Sequence, residues 1–408
     1  MEAAMVEMVA SEPRERLAGF VAEMVSGLPH VRQRENALVY VRGLIEQGGR
    51  KSLQPTLFRL EESSARYESV QQFLADSPWD PQLLVRRCAE RVAPEIGVLA
   101  WVVDDTGIAK QGTYSPGVKR QYSGTLGKIG NCQIAVSVHA VGARGTLPVG
   151  WSLYLPQEWC DDELRRARAK VPAEVAFETK PQLAQGLIEQ AAGWRVPLAP
   201  ILADAAYGDD SAFRARLDAR GLDYLLAVSA QLSVYGPETT FAVPEPSGSV
   251  GRRRSVARPD RKPESVRALA ERLPKNAWKT LRYRTTPAGE EIKSRFAFVR
   301  VVATNPVRNK NLPPREEWLI IEWPRGKQAP TDYWLSNLPA DTKRERLARL
   351  ARLRWTIELD YKQLKGELGL DHYEGRSYAG FHHHCALVTC AHAFLTLERQ
   401  DPKARRPA

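Results

Sequence analysis

Asp104 and Asp105 stand directly after the apolar run Ile96-Gly97-Val98-Leu99-Ala100-Trp101-Val102-Val103, and Asp204 directly after Ala199-Pro200-Ile201-Leu202-Ala203. Both runs read as buried strands, so each acid marks a point where a dry strand gives way to a polar edge. Taken alone, Asp-Asp-Thr-Gly is ordinary turn chemistry. A third acid weighs against leaving it there. Across 343–368, the strongest helical pattern in the chain, Arg354, Glu358, Tyr361 and Lys365 share a stripe about 60° wide, at about 100° per residue. Leu347, Leu350, Ile357, Leu364 and Leu368 lie on or beside the same side. A solvated glutamate belongs opposite the leucines. The plain alternative is an Arg354–Glu358 pair at i,i+4, a common stabilising device.

The chemistry that would use such acids is specific. Mg2+ takes hard oxygen donors and keeps several waters, so a small cluster of Asp and Glu is its expected scaffold. Crowded carboxylates repel each other and stay ionised only when a cation offsets them. Two such ions a few ångströms apart activate a water and stabilise a leaving 3′-oxygen in phosphodiester cleavage. Arg354 and Lys365 would then hold phosphates beside the metals. Neighbouring strand residues point to opposite faces, so only one of Asp104 and Asp105 should reach the cluster.

The elements that must carry these residues follow a readable order. Residues 1–94 look helical, with apolar residues three and four apart in Pro13–Phe20 and Ser69–Leu74, as a DNA-binding module or a supporting bundle. Strands follow at 96–103, 132–141 and 151–155, then a helix at 181–194 and a strand at 199–203. A helix at 211–219 and a strand at 224–228 complete a β-β-β-α-β-α-β series. In a mixed sheet of this order the first and fourth strands are plausible neighbours, which would bring Asp104 and Asp204 to one edge. From 231 to about 330 the rhythm breaks into a Pro- and Gly-rich, then basic, stretch with β-like runs at 296–302 and 318–323, read as an insertion with its own strands. The expected division is therefore 1–94, 95–230, 231–330 and 331–408.

Composition narrows the partners. The 408 residues carry a net charge of +11, and the window 251–300 alone holds 15 Lys/Arg against 5 Asp/Glu. A local surplus of that size calls for a polyanion, with nucleic acid ahead of an anionic membrane because no basic amphipathic helix has a Trp/Phe/Leu face. Arg252, Arg253, Arg254, Arg261 and Lys262 are the candidate duplex contacts. The chain lacks a long apolar span and a signal-peptide pattern, so no membrane partner and a cytoplasmic location are expected. Five cysteines without a C-x-x-C spacing read as free thiols. His382-His383-His384 cannot all face one ion from a helix and is assigned to solvent or the DNA backbone. Of Trp278, Trp318 and Trp323, candidates for stacking on a flipped base, two are expected in the core.

Several pieces together resemble a known family: Asp104-Asp105-Thr106-Gly107 with Lys110-Gln111-Gly112, Gln121-Tyr122-Ser123-Gly124-Thr125-Leu126-Gly127, and Asn131-Cys132-Gln133. Ala203-Asp204-Ala205-Ala206-Tyr207-Gly208, Arg354-Trp355-Thr356-Ile357-Glu358 and the run from Lys365 to Ser377 complete the set. The chain resembles DDE transposases of bacterial insertion sequences, in the insertion-sequence-4-like group and most like the insertion-sequence-701 branch. The resemblance covers roughly 96–392. It implies an RNase H-like α/β (α+β) core interrupted by a β-rich insertion, which accounts for the 154 residues between Asp204 and Glu358.

The family's D-x-T pattern selects Asp104 as the first acid and leaves Asp105 and Thr106 in support. Asp204 and Glu358 are then the second and third acids. Its Y-x2-R-x3-E-x6-K signature fits Arg354, Glu358 and Lys365, but Ala351 occupies the tyrosine position. Tyr361, on the same stripe, is expected to take over at the DNA, and Lys110 to contact it as well. The resemblance implies two Mg2+ ions, with Mn2+ as a substitute. It also implies terminal inverted repeats and target DNA as double-stranded partners, and a homodimer that cuts two ends together. A domesticated, cleavage-dead DNA-binding protein and an RNase H-like nuclease without strand transfer are the competing readings.

Overall fold

The structure is a computed structural model and describes residues 2–46, 48–124, 127–243, 257–286, 288–304 and 315–400. The chain divides into two compact units, one of Met1–Leu99, Val103–Leu198 and Thr356–Ala408, the other of Ala100–Val102 and Ala199–Trp355.

The first unit opens with helices α1 (Glu2–Met24), α2 (Val31–Ile45), α3 (Leu53–Arg59), α4 (Ser64–Ala75) and α5 (Pro81–Ile96). Helix α5 shows how local sequence fixes an element. Asp80 caps its first turn through Gln82 N, Pro81 occupies the first position, and Leu84, Val85, Cys88, Ala89, Val92 and Ile96 form its buried face. Gly97 ends it in the left-handed region at φ 65°, where a side chain would be strained. Ile96 is therefore the end of a helix and not the start of a strand, a correction to the sequence reading.

Strand β1 (Val98–Ala109) corrects a second expectation, because Asp104 and Asp105 lie inside it rather than at its end. Burial explains the continuation: Thr106, Gly107 and Ile108 are buried again beyond the two half-buried acids. A Cβ on Gly107 would come within 1.9 Å of Ser123 Oγ, so glycine permits the close packing of two motifs named above. Strands β2 (Lys119–Ser123), β3 (Lys128–Gly142) and β4 (Thr146–Tyr154) follow, with β3 antiparallel to both. Short helices α6 (Gln157–Cys160) and α7 (Glu163–Arg168) precede α8 (Lys180–Ala192), whose start is set by a Thr179–Gln182 capping box.

The second unit contains β5 (Ile201–Ala203), α9 (Ala205–Gly208), α10 (Ser211–Ala219) and β6 (Tyr224–Val228). The basic segment adds β7 (Ser233–Tyr235), β8 (Phe241–Ala242), β9 (Arg258–Pro259), β10 (Glu264–Ser265) and α11 (Val266–Glu271). Strands β11 (Lys279–Thr285), β12 (Glu291–Ala303), β13 (Glu317–Trp323) and β14 (Asp332–Ser336) lead to α12 (Arg344–Leu353). The strand order β10-β7-β12-β13-β14-β6-β5 continues to β1 through its residues 100–102. Pairs β1–β5 and β5–β6 are parallel, and the others in that order are antiparallel. Val234, Val266, Leu269, Ala297, Val301, Leu319 and Ile321 share one core with Val228, Tyr333 and Leu335. The two β-like runs of the insertion are thus packed strands: β13 is buried from Glu317 to Glu322, and β12 buries Phe296, Ala297 and Val301.

Helices α13 (Thr356–Gly366) and α14 (Tyr378–Glu398) belong to the first unit. The helix expected over 343–368 is therefore two helices, interrupted at Arg354 and Trp355. Each half buries its own apolar face, Leu347 and Leu350 in α12 and Ile357 and Leu364 in α13. Among the described residues no helix is long and apolar enough to cross a membrane.

Candidate active site

The two neighbouring aspartates have different surroundings. The Asp105 carboxylate accepts from Lys180 Nζ at 2.8 Å, an ion pair made with the first turn of α8. Asp104 Oδ1 accepts the Asp105 backbone N–H at 2.8 Å, and Thr106 beside them is fully buried. The charges of Asp104 and Asp105 both reach Tyr361 of α13; burial first, then Asp104, holds that phenol well above its ordinary range. Tyr361 lies one helical turn beyond Glu358, on the same side of the helix.

Helix α13 carries two kinds of acid. Glu358 is exposed, whereas Asp360 joins Ile357 and Leu364 on the buried face. The inward-facing carboxylate of this helix is thus Asp360, because the helix restarts at Thr356. Asp360 Oδ2 lies 2.7 Å from His139 Nδ1, its Oδ1 accepts from the Thr146 hydroxyl, and His392 Nε2 is 3.5 Å away. Burial opposes ionisation there, but the hydrogen bonds and charges of the two histidines hold Asp360 far below the usual carboxylate range.

Asp204, in the second unit, is half-buried at the end of β5, where its Oδ1 accepts the Ala206 N–H at 3.0 Å and caps α9. Gly208 closes that turn; a Cβ there would meet the Ala227 carbonyl oxygen at 1.7 Å. Residues Trp101 and Val102 of β1 pair in parallel with Ile201 and Leu202 in this unit. Among the described residues no three His, Cys, Asp or Glu side chains are gathered closely enough to hold a metal ion.

The basic candidates are spread out. Lys365 Nζ donates to the Gly107 carbonyl at 2.8 Å, and burial pushes its ammonium down to about 8. Lys110 donates to the Tyr373 carbonyl and is likewise pushed down to about 8 by burial. Arg354 is half-buried at the end of α12. Arg261, 3.8 Å from Asp260, and Lys262 are exposed, while Arg252, Arg253 and Arg254 lie outside the described residues. Part of the surplus around them is offset locally by ion pairs such as Arg272–Glu264 and Arg282–Glu291.

The histidine triplet requires a correction. His384 lies between the Tyr40 hydroxyl at 2.9 Å and the Leu370 carbonyl at 3.1 Å. His383 faces the Leu74 and Trp79 carbonyls at 2.8 and 2.9 Å, and His382 the Tyr378 carbonyl at 3.0 Å. Helix α14 is buried along most of its length: His383 and His384 are core groups and not solvent-facing, while His382 beside them is half-buried. Trp318 is buried beside Arg300. Trp278 packs edge-on against Trp323, which Arg295 covers at 4.4 Å. The exposed tryptophan is Trp355, with Arg284 over its ring at 4.6 Å.

Lys180, Ser137, His139 and Asp360 are the site neighbours that sequence reasoning missed. Lys180 carried a local signal, since it directly precedes a proline at the start of a helix. The others come from distant segments.

The segment 23–288 matches the family model of the DDE superfamily endonucleases. The chain belongs to that family. Asp104 and Asp204 both lie within the matched segment, and Glu358 lies beyond it. A probable transposase for insertion sequence element IS701 from Microchaete diplosiphon is 32% identical over 166 residues, 40% of each chain. The chain therefore matches about two fifths of that relative's length.

Proposed function

We propose that this DDE endonuclease is a transposase that cleaves DNA at transposon ends and joins the freed 3′-hydroxyl to target DNA, in a cut-and-paste reaction. The observation that carries the reading is the family match across both aspartate motifs, and the similarity to a probable transposase supports the finer activity. Asp104 is favoured over Asp105 as first acid because Lys180 already neutralises Asp105. Support for Asp204 comes from its place directly after β5, where its half-buried carboxylate caps α9.

The donor set fits divalent magnesium, since three carboxylates supply hard oxygens of the kind the ion selects. Asp104, Asp204 and Glu358 would hold two Mg2+ ions, with Mn2+ as a substitute. When bound, these would activate water and stabilise the departing 3′-oxygen. The chain's own residues do the rest. Lys180 holds Asp105 out of the ligand set, and Thr106 is buried within the same strand. Arg354, Lys365, Lys110 and Tyr361 are the candidate contacts to the DNA end, and the 252–262 basic cluster would hold the flanking duplex through its phosphates. Two ends cut together call for a homodimer on the inverted repeats, acting in the cytoplasm and with the nucleoid when bound to DNA.

Strand transfer with pre-cut 3′ ends is the deciding assay. Joined product in Mg2+ is expected; cleavage without joining would favour a simple nuclease, and neither activity would favour a DNA-binding protein that has lost catalysis. Lys365 gives a pH signature. Its ammonium is lost as pH rises through about 8, so end binding in the wild type should weaken between pH 7 and 9.5. The Lys365→Arg protein keeps its charge across that range and should give a flatter profile. Equal slopes in the two proteins would remove Lys365 from the phosphate contacts.

A further inference from the structure

A chain of buried polar groups links α13 to β3 in the first unit. His139 Nδ1 lies 2.7 Å from Asp360 Oδ2, His139 Nε2 lies 3.0 Å from Ser137 Oγ, and Ser137 Oγ lies 2.7 Å from the Tyr361 hydroxyl. Ser137 and His139 are fully buried and two residues apart on β3, so they face the same side of the strand. Asp360 and Tyr361 are consecutive on α13. Two helix residues are thus held by two strand residues, and Thr146 of β4 adds a third attachment through Asp360. Rotation or sliding of α13 would break several of these bonds at once and leave their groups buried and unpaired. The helix is fixed in register by polar contacts, in addition to Ile357 and Leu364.

The donor order follows from counting protons. Burial lowers the His139 pKa and keeps the ring neutral, so one nitrogen donates and the other accepts. Asp360, a carboxylate, takes the Nδ1 proton. Nε2 then accepts from Ser137, and Ser137 accepts from Tyr361. The Tyr361 proton is directed onto Ser137, although the charge of Asp104 also reaches this phenol.

We propose that the chain Asp360–His139–Ser137–Tyr361 is a positioning device that sets the rotation of the helix bearing Glu358 and holds the Tyr361 hydroxyl on Ser137 and away from Asp104. The proposal rests on the reading of Asp104 and Glu358 as metal ligands. None of the four touches the reacting atoms. A phenol released beside a carboxylate donates to it, and so competes with a cation for the same oxygen atoms.

The test uses full-length protein, Mg2+ as the probe, and three readouts: end cleavage, end binding and thermal unfolding. Ser137→Ala is expected to raise the Mg2+ concentration for half-maximal cleavage about tenfold. Tyr361→Phe alone should lower kcat several-fold at an unchanged Mg2+ requirement, because the tether is lost without releasing a competing hydroxyl. The double variant should recover the wild-type Mg2+ requirement, a repair that a purely structural defect would not show. An unchanged Mg2+ requirement in Ser137→Ala, or a double variant no better than it, overturns the shielding of Asp104. Wild-type kcat in Tyr361→Phe overturns the tether, and this arm stands even if Ser137→Ala fails to fold. Wild-type cleavage by Glu358→Gln would overturn the metal-ligand reading itself, a failure distinguishable from these.

Discussion

Under the proposed function, Asp104→Asn, Asp204→Asn and Glu358→Gln are each expected to cut transposon ends at least ~10³-fold more slowly than the wild-type chain while still binding them. The amides keep the size of each side chain and remove the charge. Asn at 104 retains an oxygen to accept the Asp105 N–H seen at 2.8 Å, so the strand should keep its shape. Asp105→Asn makes the contrasting case. It breaks the ion pair with Lys180 and should lower activity far less, because that carboxylate is engaged by an ammonium. Parallel cleavage and gel-shift measurements on the same preparations check both. If Asp105→Asn is dead and Asp104→Asn active, the assignment of the first acid is reversed.

The second large effect concerns acid stability. Burial pushes His382 down to about 4 and His384 down to about 3, against about 6.5 in an unfolded chain. Between these limits the unfolded state binds protons that the folded state refuses, so stability falls as pH falls below about 6.5. Each histidine contributes a slope of about 1.4 kcal/mol per pH unit, or about 3 for the two. His139 shifts in the same direction. His383 does too, although its two carbonyl partners favour the protonated ring. A loss of this size between pH 6.5 and 5 is a large part of a normal folding free energy of about 5–15 kcal/mol. Urea midpoints at pH 7, 6 and 5 should fall steeply, and His384→Gln should remove roughly half of that two-histidine slope. A midpoint constant over this range would mean that the buried rings are already charged.

The sequence was most informative where a pattern is local. Helix α10 and strand β6 have the bounds expected from the stop at Gly221 and the apolar run at 224–228. The end of β5 was legible as well, since its apolar run stops at Asp204. Three features were not legible, for physical reasons. β1 runs through its two aspartates because Thr106, Gly107 and Ile108 pack inward, and that packing depends on Ser123. The break at Arg354 and Trp355 leaves helical periodicity almost unchanged, so only tertiary burial reveals it. The Asp360–His139 and Tyr361–Ser137 contacts join residues more than 200 positions apart, and no window of sequence contains both sides. The histidine triplet was misread because hydrophilic type outweighed an otherwise apolar α14.

The three residues that β1 lends to the second unit have a practical consequence for dissecting the chain. Ala100–Val102 lie almost a hundred positions before the rest of that unit, yet Trp101 and Val102 form the outer pairing partners of β5. A fragment beginning at residue 199 would therefore carry an open parallel edge of Ile201, Leu202 and Ala203, all buried in the whole chain. Unsatisfied edges of that kind pair with whatever strand is offered, commonly another copy. An expression fragment of this unit would need its missing strand supplied, for instance by grafting 98–105 ahead of 199 through a linker. Cutting the chain at 199 removes the strand segment against which β5 pairs.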